Sequence, residues 1–174
     1  ESMPDETPRW YACYTRARHE KRVDRQLEER GFESWLPLIE RERQWSDRVK
    51  RVEFPVFPSY VFCRFPTARI HEILKIPGIS TVVRTGGRPA PIPDEELENV
   101  RRVVETLRTE DLEPRPVPYL EEGETVRVVD GPFEGVTGVV AERRGRSRVL
   151  VGLSAIRQGL EVDVPAASLQ RIPR

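Results

Sequence analysis

The amino-acid sequence predicts an α+β protein in which an antiparallel sheet with flanking helices is followed by a small β barrel. The first observation is the element order β-α-β-β-α-β-α, which the hydrophobic periods give over residues 9–110. The second is a proline-rich, aperiodic stretch at 111–120, after which short strands alternate with glycine-containing turns. We therefore expect a first domain over 9–110, a semi-rigid linker over 111–120 and an SH3-like β barrel over 121–174.

The charge of the chain is divided between its two halves. The 174 residues carry 29 Lys/Arg and 29 Asp/Glu, so the formal net charge is zero. Residues 9–88 hold 17 basic and 10 acidic side chains, a sum of +7, and the remainder holds 12 against 19, a sum of −7. This division indicates either a polyanionic partner for the front half or an attraction between the halves.

The stretch 53–65, "EFPVFPSYVFCRF", is the central strand of the predicted sheet. Pro55 and Pro58 lack an N–H, so they confine its first half to an edge or an entry segment. Beyond them the side chains alternate between two faces, Tyr60, Phe62 and Arg64 against Val61, Cys63 and Phe65. Both faces are apolar, so the strand is either covered on both sides or presents rings to a partner.

A short aromatic strand, "RWYACYTRAR", precedes a helix predicted from Ala17 to Arg30. Gly31 stands where a left-handed residue ends a helix. The apolar stripe of this helix is thin, Val23 and Leu27, and its basic residues cluster on one sector: Arg18, Lys21, Arg22 and Arg25. That row is either a solvated helix face or a surface facing phosphates.

A long β-hairpin is predicted from strands over 34–43 and 49–65, with a turn near Ser46 and Asp47. Its tip, residues 41–51, is mainly basic and contains Trp45. A projecting charged tip is ordinarily only solvated, but with a tryptophan it also suits contact with nucleic acid or protein.

Two more helices complete the first domain. Thr67 is the predicted N-cap of a helix over 68–75 that turns three side chains inward, Ile70, Ile73 and Leu74. A strand over 79–84 and a turn at 85–87 follow. A helix over 94–108 then carries an amphipathic stripe at Leu97, Val100, Val104 and Leu107.

The sequence contains no motif for catalysis or for metal binding. His19 and His71 are the two histidines, and neither has an acid or nucleophile at motif spacing. Cys13 and Cys63 are far apart in apolar strands, which predicts buried, reduced thiols. We expect a protein that is not an enzyme and that needs no cofactor or metal. With no apolar run of about 18 residues and no secretion signal in "ESMPDETPR", we also expect no membrane association and a cytoplasmic protein.

Four sequence blocks in this order resemble the NusG family of transcription elongation factors, over nearly the whole chain. These are "WYACYTRARHEKRV", "FPVFPSYVFCRF", "IPGISTVVRTGGRPAPIPDEEL" and "EGETVRVVDGPFEGVTGVV". The last is similar to the KOW motif of that family, whose positions here are Gly131, Pro132, Phe133, Gly135 and Gly138. The resemblance implies a domain that binds RNA polymerase, a KOW barrel that recruits further factors, and a monomer.

The resemblance also implies site residues in the first domain. Tyr14, Tyr60 and Phe62 would line an apolar pocket for the tip of the polymerase clamp helices. The alternative is that these rings pack only beneath the last helix of the domain.

The barrel segment "GLSAIRQGLEVDVP" lacks the F-G-R-x-T-P sequence of housekeeping members, which puts their usual barrel partners, a termination factor and a ribosomal protein, in doubt. The first half is more similar to specialised RfaH-like paralogs. That similarity implies contact with the non-template DNA strand through a basic surface, and contact with the polymerase gate loop through His71. The implied DNA-binding residues are Arg16, His19, Arg22 and Arg84.

The expected function is therefore a polymerase-bound elongation regulator that promotes processive antitermination. A housekeeping elongation and termination factor is one alternative, and a KOW-type RNA- or ribosome-binding module is another. We expect the barrel to stay β, because its strands are β-branched and strongly alternating.

Overall fold

The computed structural model describes residues 5–119, 123–143 and 146–173. Its Cα packing separates two compact units, one of residues 1–38 and 55–93 and the other of residues 39–54 and 94–174. The second unit includes the hairpin arm and the last long helix, which the sequence assigns to the first domain. The predicted boundaries, one of which falls at residue 121 outside the described residues, stay a prediction.

The first unit is built on a four-stranded antiparallel sheet. Its strands are β1 (Arg9–Thr15), β2 (Glu33–Trp35), β5 (Tyr60–Phe65) and β6 (Ile79–Val82), in the order β2-β5-β1-β6. The strands β3 (Leu38–Gln44) and β4 (Val49–Pro55) form the separate hairpin arm, and β7 (Arg84–Thr85) and β8 (Arg88–Pro89) form a small hairpin. The predicted long hairpin is therefore interrupted on both sides, because Pro37 and the Pro55–Pro58 segment break each strand.

Two helices cover one face of this sheet. The helix α1 (Glu20–Glu29) begins three residues later than predicted and ends before Gly31, whose φ of +82° confirms the expected left-handed position. The helix α2 (Ile70–Leu74) follows a single 3-10 turn. Their apolar residues join the side chains of the helix face, which we define as Tyr11, Cys13, Val61, Cys63 and Phe65.

Two predictions about the second helix are wrong. The Thr67 hydroxyl caps no helical N–H; it accepts a hydrogen bond from the Asp5 N–H (2.8 Å) and donates one to the Asp5 carbonyl (3.3 Å). Leu74 is 40% exposed, because α2 is so short that only Ile73 is buried in it. The Thr67 hydroxyl, which the sequence pattern assigns to a helix cap, is thus hydrogen-bonded to the N-terminal segment instead.

Opposite the helix face lies the aromatic face, defined as Ala12, Tyr14, Tyr60 and Phe62. These residues share a side because β1 pairs with β5 in the register Ala12↔Phe62 and Tyr14↔Tyr60. Both sides of the central strand are apolar, as the sequence indicates.

The second unit contains a six-stranded antiparallel sheet of barrel type. Its strands are β9 (Pro116–Pro118), β10 (Thr125–Val128), β11 (Thr137–Arg143), β12 (Arg146–Leu153), β13 (Gln158–Asp163) and β14 (Leu169–Arg171), ordered β14-β10-β11-β12-β13-β9. Five of these strands, β10 to β14, lie after residue 123, where the sequence predicts short strands between glycine-containing turns. Within the predicted linker 111–120, residues 116–118 pair with β13 as an edge strand.

The helix α3 (Asp94–Thr109) packs against β12 within the same unit. Its predicted stripe is buried, with Val103 in addition. The Glu96 carboxylate accepts hydrogen bonds from the N–H and the hydroxyl of Ser154 (2.8 and 3.0 Å), and Asn99 Oδ1 accepts one from the Thr137 N–H (3.0 Å). Polar contacts therefore fix the helix on the barrel as well as apolar ones. In the part of the chain that the structure describes, no helix has both the length and the apolarity to cross a bilayer.

Candidate functional site

The open end of the aromatic face is a pair of tyrosines. The rings of Tyr14 and Tyr60 lie edge to face, with centroids 5.5 Å apart and an interplanar angle of 67°. Tyr14 is 43% exposed and Tyr60 is half-buried. Burial, and secondarily the neighbouring Tyr14, raise the pKa of Tyr60, so its hydroxyl stays protonated at neutral pH. The pair offers two adjoining aromatic rings at the open end of this face.

Phe62 lies deeper in the same face. Its side chain is fully buried, and the rings of Trp35 and Phe57 lie 5.6 and 6.2 Å from it, centroid to centroid. Of the three predicted pocket residues, the structure thus leaves two at the surface and buries the third, two positions further along the same face of β5. The assignment of the three to a polymerase pocket stays a prediction.

Glu20 is a residue of this site that the sequence reasoning missed. Its buried carboxylate accepts a hydrogen bond from the Ser59 N–H (3.0 Å), and Ser59, with φ of +70°, accepts one from the Thr15 N–H (2.8 Å) at its carbonyl. The first turn of α1 therefore holds the left-handed residue immediately before Tyr60. No spacing rule indicates this contact, because a glutamate in a first helical turn ordinarily faces solvent.

The four predicted DNA-binding residues fall into two places. Arg16 and His19 flank the start of β6, where the Arg16 N–H donates to the Gly78 carbonyl (2.9 Å), and the exposed Arg22 follows on α1. Arg84 lies beyond the other end of β6, roughly 20 Å along the chain from Gly78 at about 3.3 Å per residue. Its guanidinium donates to the Gly87 carbonyl (3.2 Å). The four residues, which we call the strip, are therefore spread along the length of β6 and do not form a compact cluster.

His71, the predicted gate-loop contact, is an exposed residue of α2. Its neighbour Glu72 is ion-paired with Arg69 (2.7 Å). Across the described residues, no group of three or more His, Cys, Asp or Glu side chains is placed to hold a metal ion.

The residues of the predicted KOW motif lie in and beside the barrel-type sheet. Gly131, Pro132, Phe133 and Gly135 lie in the turn between β10 and β11, and the Phe133 ring is buried. A Cβ at Gly138 would collide with the Leu150 carbonyl on the paired strand β12, so only glycine allows this close approach. The Pro132 carbonyl accepts a hydrogen bond from the Thr106 hydroxyl (3.2 Å) on α3.

An α+β unit with an open aromatic pair and a second unit with a barrel-type sheet make this a two-part α+β protein. Comparison with known proteins gives its family. Residues 8–101, more than half of the chain, match the family described as "Transcription termination factor nusG". The chain belongs to the NusG family of transcription termination and antitermination factors.

Similar proteins cover nearly the whole chain. The transcription termination/antitermination protein NusG of Pseudomonas aeruginosa is 29% identical, over 94% of this chain and 98% of its own. The protein of the same name from Thermus thermophilus is 28% identical, over 88% and 94%. The solved structure described as "Domain interaction in Thermotoga maritima NusG" has a TM-score of 0.50 at 22% identity, over 96% of this chain and 98% of that one, and supports the fold.

Proposed function

We propose that this protein binds RNA polymerase through the Tyr14–Tyr60 end of the aromatic face and promotes processive antitermination during elongation. The exposed tyrosine pair carries the proposal, because rings at the centre of a patch are the residues that dominate protein interfaces. The proposed occupant is the tip of the polymerase clamp helices, with the buried Phe62 forming the inner part of the same face. Such a factor works in the cytoplasm, where bacterial transcription takes place.

Three further contacts belong to the same proposal. The strip of Arg16, His19, Arg22 and Arg84 would follow the phosphates of the non-template DNA strand. His71 would contact the polymerase gate loop. The KOW barrel would recruit another factor, a ribosomal protein being one candidate.

The polymerase contact is tested with Tyr14→Ala in a binding assay on a reconstituted elongation complex. We expect a loss of at least about 30-fold, the effect of one interface hot spot. The matched control is Leu112→Ala, which truncates an apolar side chain of similar exposure, 45% against 43%, outside the proposed surface. Wild-type affinity in the Tyr14 variant would refute the proposed interface. Phe62→Ala is unsuitable, because its ring is fully buried and its loss would destabilise the fold.

The direction of the effect is tested at a terminator. Added protein should increase read-through in a purified transcription reaction, and Tyr14→Ala should remove that increase. Increased termination would instead favour the housekeeping function, which the names of the relatives equally allow.

A further inference from the structure

The tip of the hairpin arm combines an exposed tryptophan with unneutralised cations. The backbone N–H of Trp45 donates to the Arg48 carbonyl (2.8 Å), which closes the turn between β3 and β4. The Trp45 side chain is 57% exposed, and its ring stacks on no other ring of the described residues. A tryptophan is seldom left this open, so its exposure requires an explanation.

The charges of the arm are sorted between its base and its tip. Arg51 pairs with Glu40 (3.0 Å), Glu42 (3.6 Å) and Asp111 (3.4 Å). Arg41 pairs with Glu113 (3.3 Å). These two arginines are therefore used within the protein, since they hold the arm to the segment after α3.

The remaining cations are Arg43, Arg48 and Lys50. None of them pairs with an acidic side chain among the described residues. The acidic residue of the turn, Asp47, offsets one of these charges and leaves an excess of two. All four side chains are exposed.

Strand alternation places Arg43 and Lys50 on one face of the arm, the face that leads to the tryptophan. The Arg43 guanidinium lies 4.8 Å from the centre of the Phe54 ring, so Arg43 and Phe54 share a face of the arm. Lys50 precedes Phe54 by four positions on β4, which puts it on that face. Trp45 is the first residue after β3 and lies two positions beyond Arg43, and its backbone hydrogen bond sets it opposite Arg48 where the two strands meet the turn. Glu40 and Glu42, paired with Arg51, occupy the other. One face is thus cationic and aromatic, and Glu40 and Glu42 lie behind it.

We propose that this face of the arm tip binds single-stranded nucleic acid, with one base stacked on Trp45 and adjacent phosphates on Arg48, Lys50 and Arg43. A flat ring flanked by free cations matches a ligand whose bases expose π-faces and whose backbone is anionic. Duplexes hide their base faces within the stack, so they use the cations alone. An acidic peptide likewise uses the cations without a planar group for the ring.

The test measures anisotropy of a labelled 12-nucleotide single strand titrated with the full chain. It uses the background Arg16→Gln/Arg22→Gln/Arg84→Gln, which removes most of the strip proposed above to bind DNA, so that the result is independent of that proposal. Trp45→Ala should weaken binding about 5- to 150-fold, the range for one lost base–aromatic stack. Trp45→Phe should keep most of the affinity, because a ring remains.

Removing cations from the arm tip and, separately, from elsewhere on the surface shows whether the arm-tip charges contact the phosphates or only add to the overall positive charge. Arg48→Gln/Lys50→Gln should weaken binding and lower the slope of log affinity against log salt by about 1.4, at roughly 0.7 per phosphate contact on a single strand. The control Arg108→Gln/Arg127→Gln removes two exposed arginines elsewhere and should leave the slope unchanged.

Three outcomes would overturn the proposal. Unchanged affinity in Trp45→Ala would show that the ring is not used. Equal affinity for a duplex of the same sequence would point to phosphate contacts without stacking. Equal affinity for a polyglutamate peptide would point to an acidic protein partner.

Discussion

The two faces of the first sheet are built from the same strands but are closed to different degrees. The helix face is sealed by α1 and α2, and all five of its defined side chains are at most 2% exposed. The aromatic face grades from the fully buried Phe62 to Tyr14 at 43% exposure. One register thus produces a core on one side and, on the other, a surface that opens towards one end. The difference predicts which substitutions affect stability and which affect binding.

The largest expected difference is in thiol reactivity. Burial raises the pKa of Cys13 on the helix face to about 12 from 9.0, and it raises that of Cys63 also. At pH 8 the thiolate population of folded Cys13 should be about 10³-fold below that of the unfolded chain, which slows modification by a disulfide reagent accordingly. Because the folded pKa is the higher one, the contribution of Cys13 to stability is complete below pH 9 and falls as the pH rises towards 12.

The matched control for this measurement is Ser46→Cys at the exposed arm tip. The introduced thiol should react with the folded chain at nearly the rate of an unfolded one. Rapid reaction of both native cysteines in the folded protein would show that water reaches the helix face.

Truncating one ring on each face tests the difference in stability. Phe65→Ala on the helix face should lower the free energy of unfolding by about 3–5 kcal/mol, through lost burial and the cavity left behind. Tyr14→Ala on the open end should change it by less than about 0.5 kcal/mol. Chemical denaturation of the two variants measures both values. Equal losses would mean that Tyr14 is part of the core in solution.

A smaller loss of stability is expected from Glu20, in the first turn of α1. Glu20→Ala removes the acceptor of the Ser59 N–H and should cost about 1–3 kcal/mol. Glu20→Gln keeps an acceptor oxygen and should cost less. Amide exchange at Ser59 should accelerate in the alanine variant; unchanged exchange would show that the carboxylate does not hold this turn.

Features with a regular period could be predicted from the sequence. The α3 stripe matches the buried side of that helix, the alternation of "SYVFCRF" divides the side chains of β5 between two faces, and Gly31 meets a specific backbone requirement. The membership of Tyr14, Tyr60 and Phe62 in one face follows from the same alternation once the register is known. These features depend on local chemistry, which the sequence contains.

Features that depend on distant partners could not be predicted from the sequence. The Thr67 hydroxyl has a cap position by sequence, but it bonds to Asp5, 62 residues away. Phe62 is buried by Trp35 and Phe57, so its depth in the face depends on how the chain returns through β2 and the Pro55–Pro58 segment. Glu20 and Ser59 are 39 positions apart. No period or motif relates such pairs before the fold exists.

The short strand β9 also has a consequence for solubility. It forms the outer edge of the barrel sheet, opposite Gln158–Leu160, and two of its three residues are prolines. A proline has no N–H to offer a neighbouring chain, so this edge is a poor template for another strand. Pro116 and Pro118 therefore protect the barrel against edge-to-edge aggregation, which an exposed edge strand with free backbone N–H groups would favour.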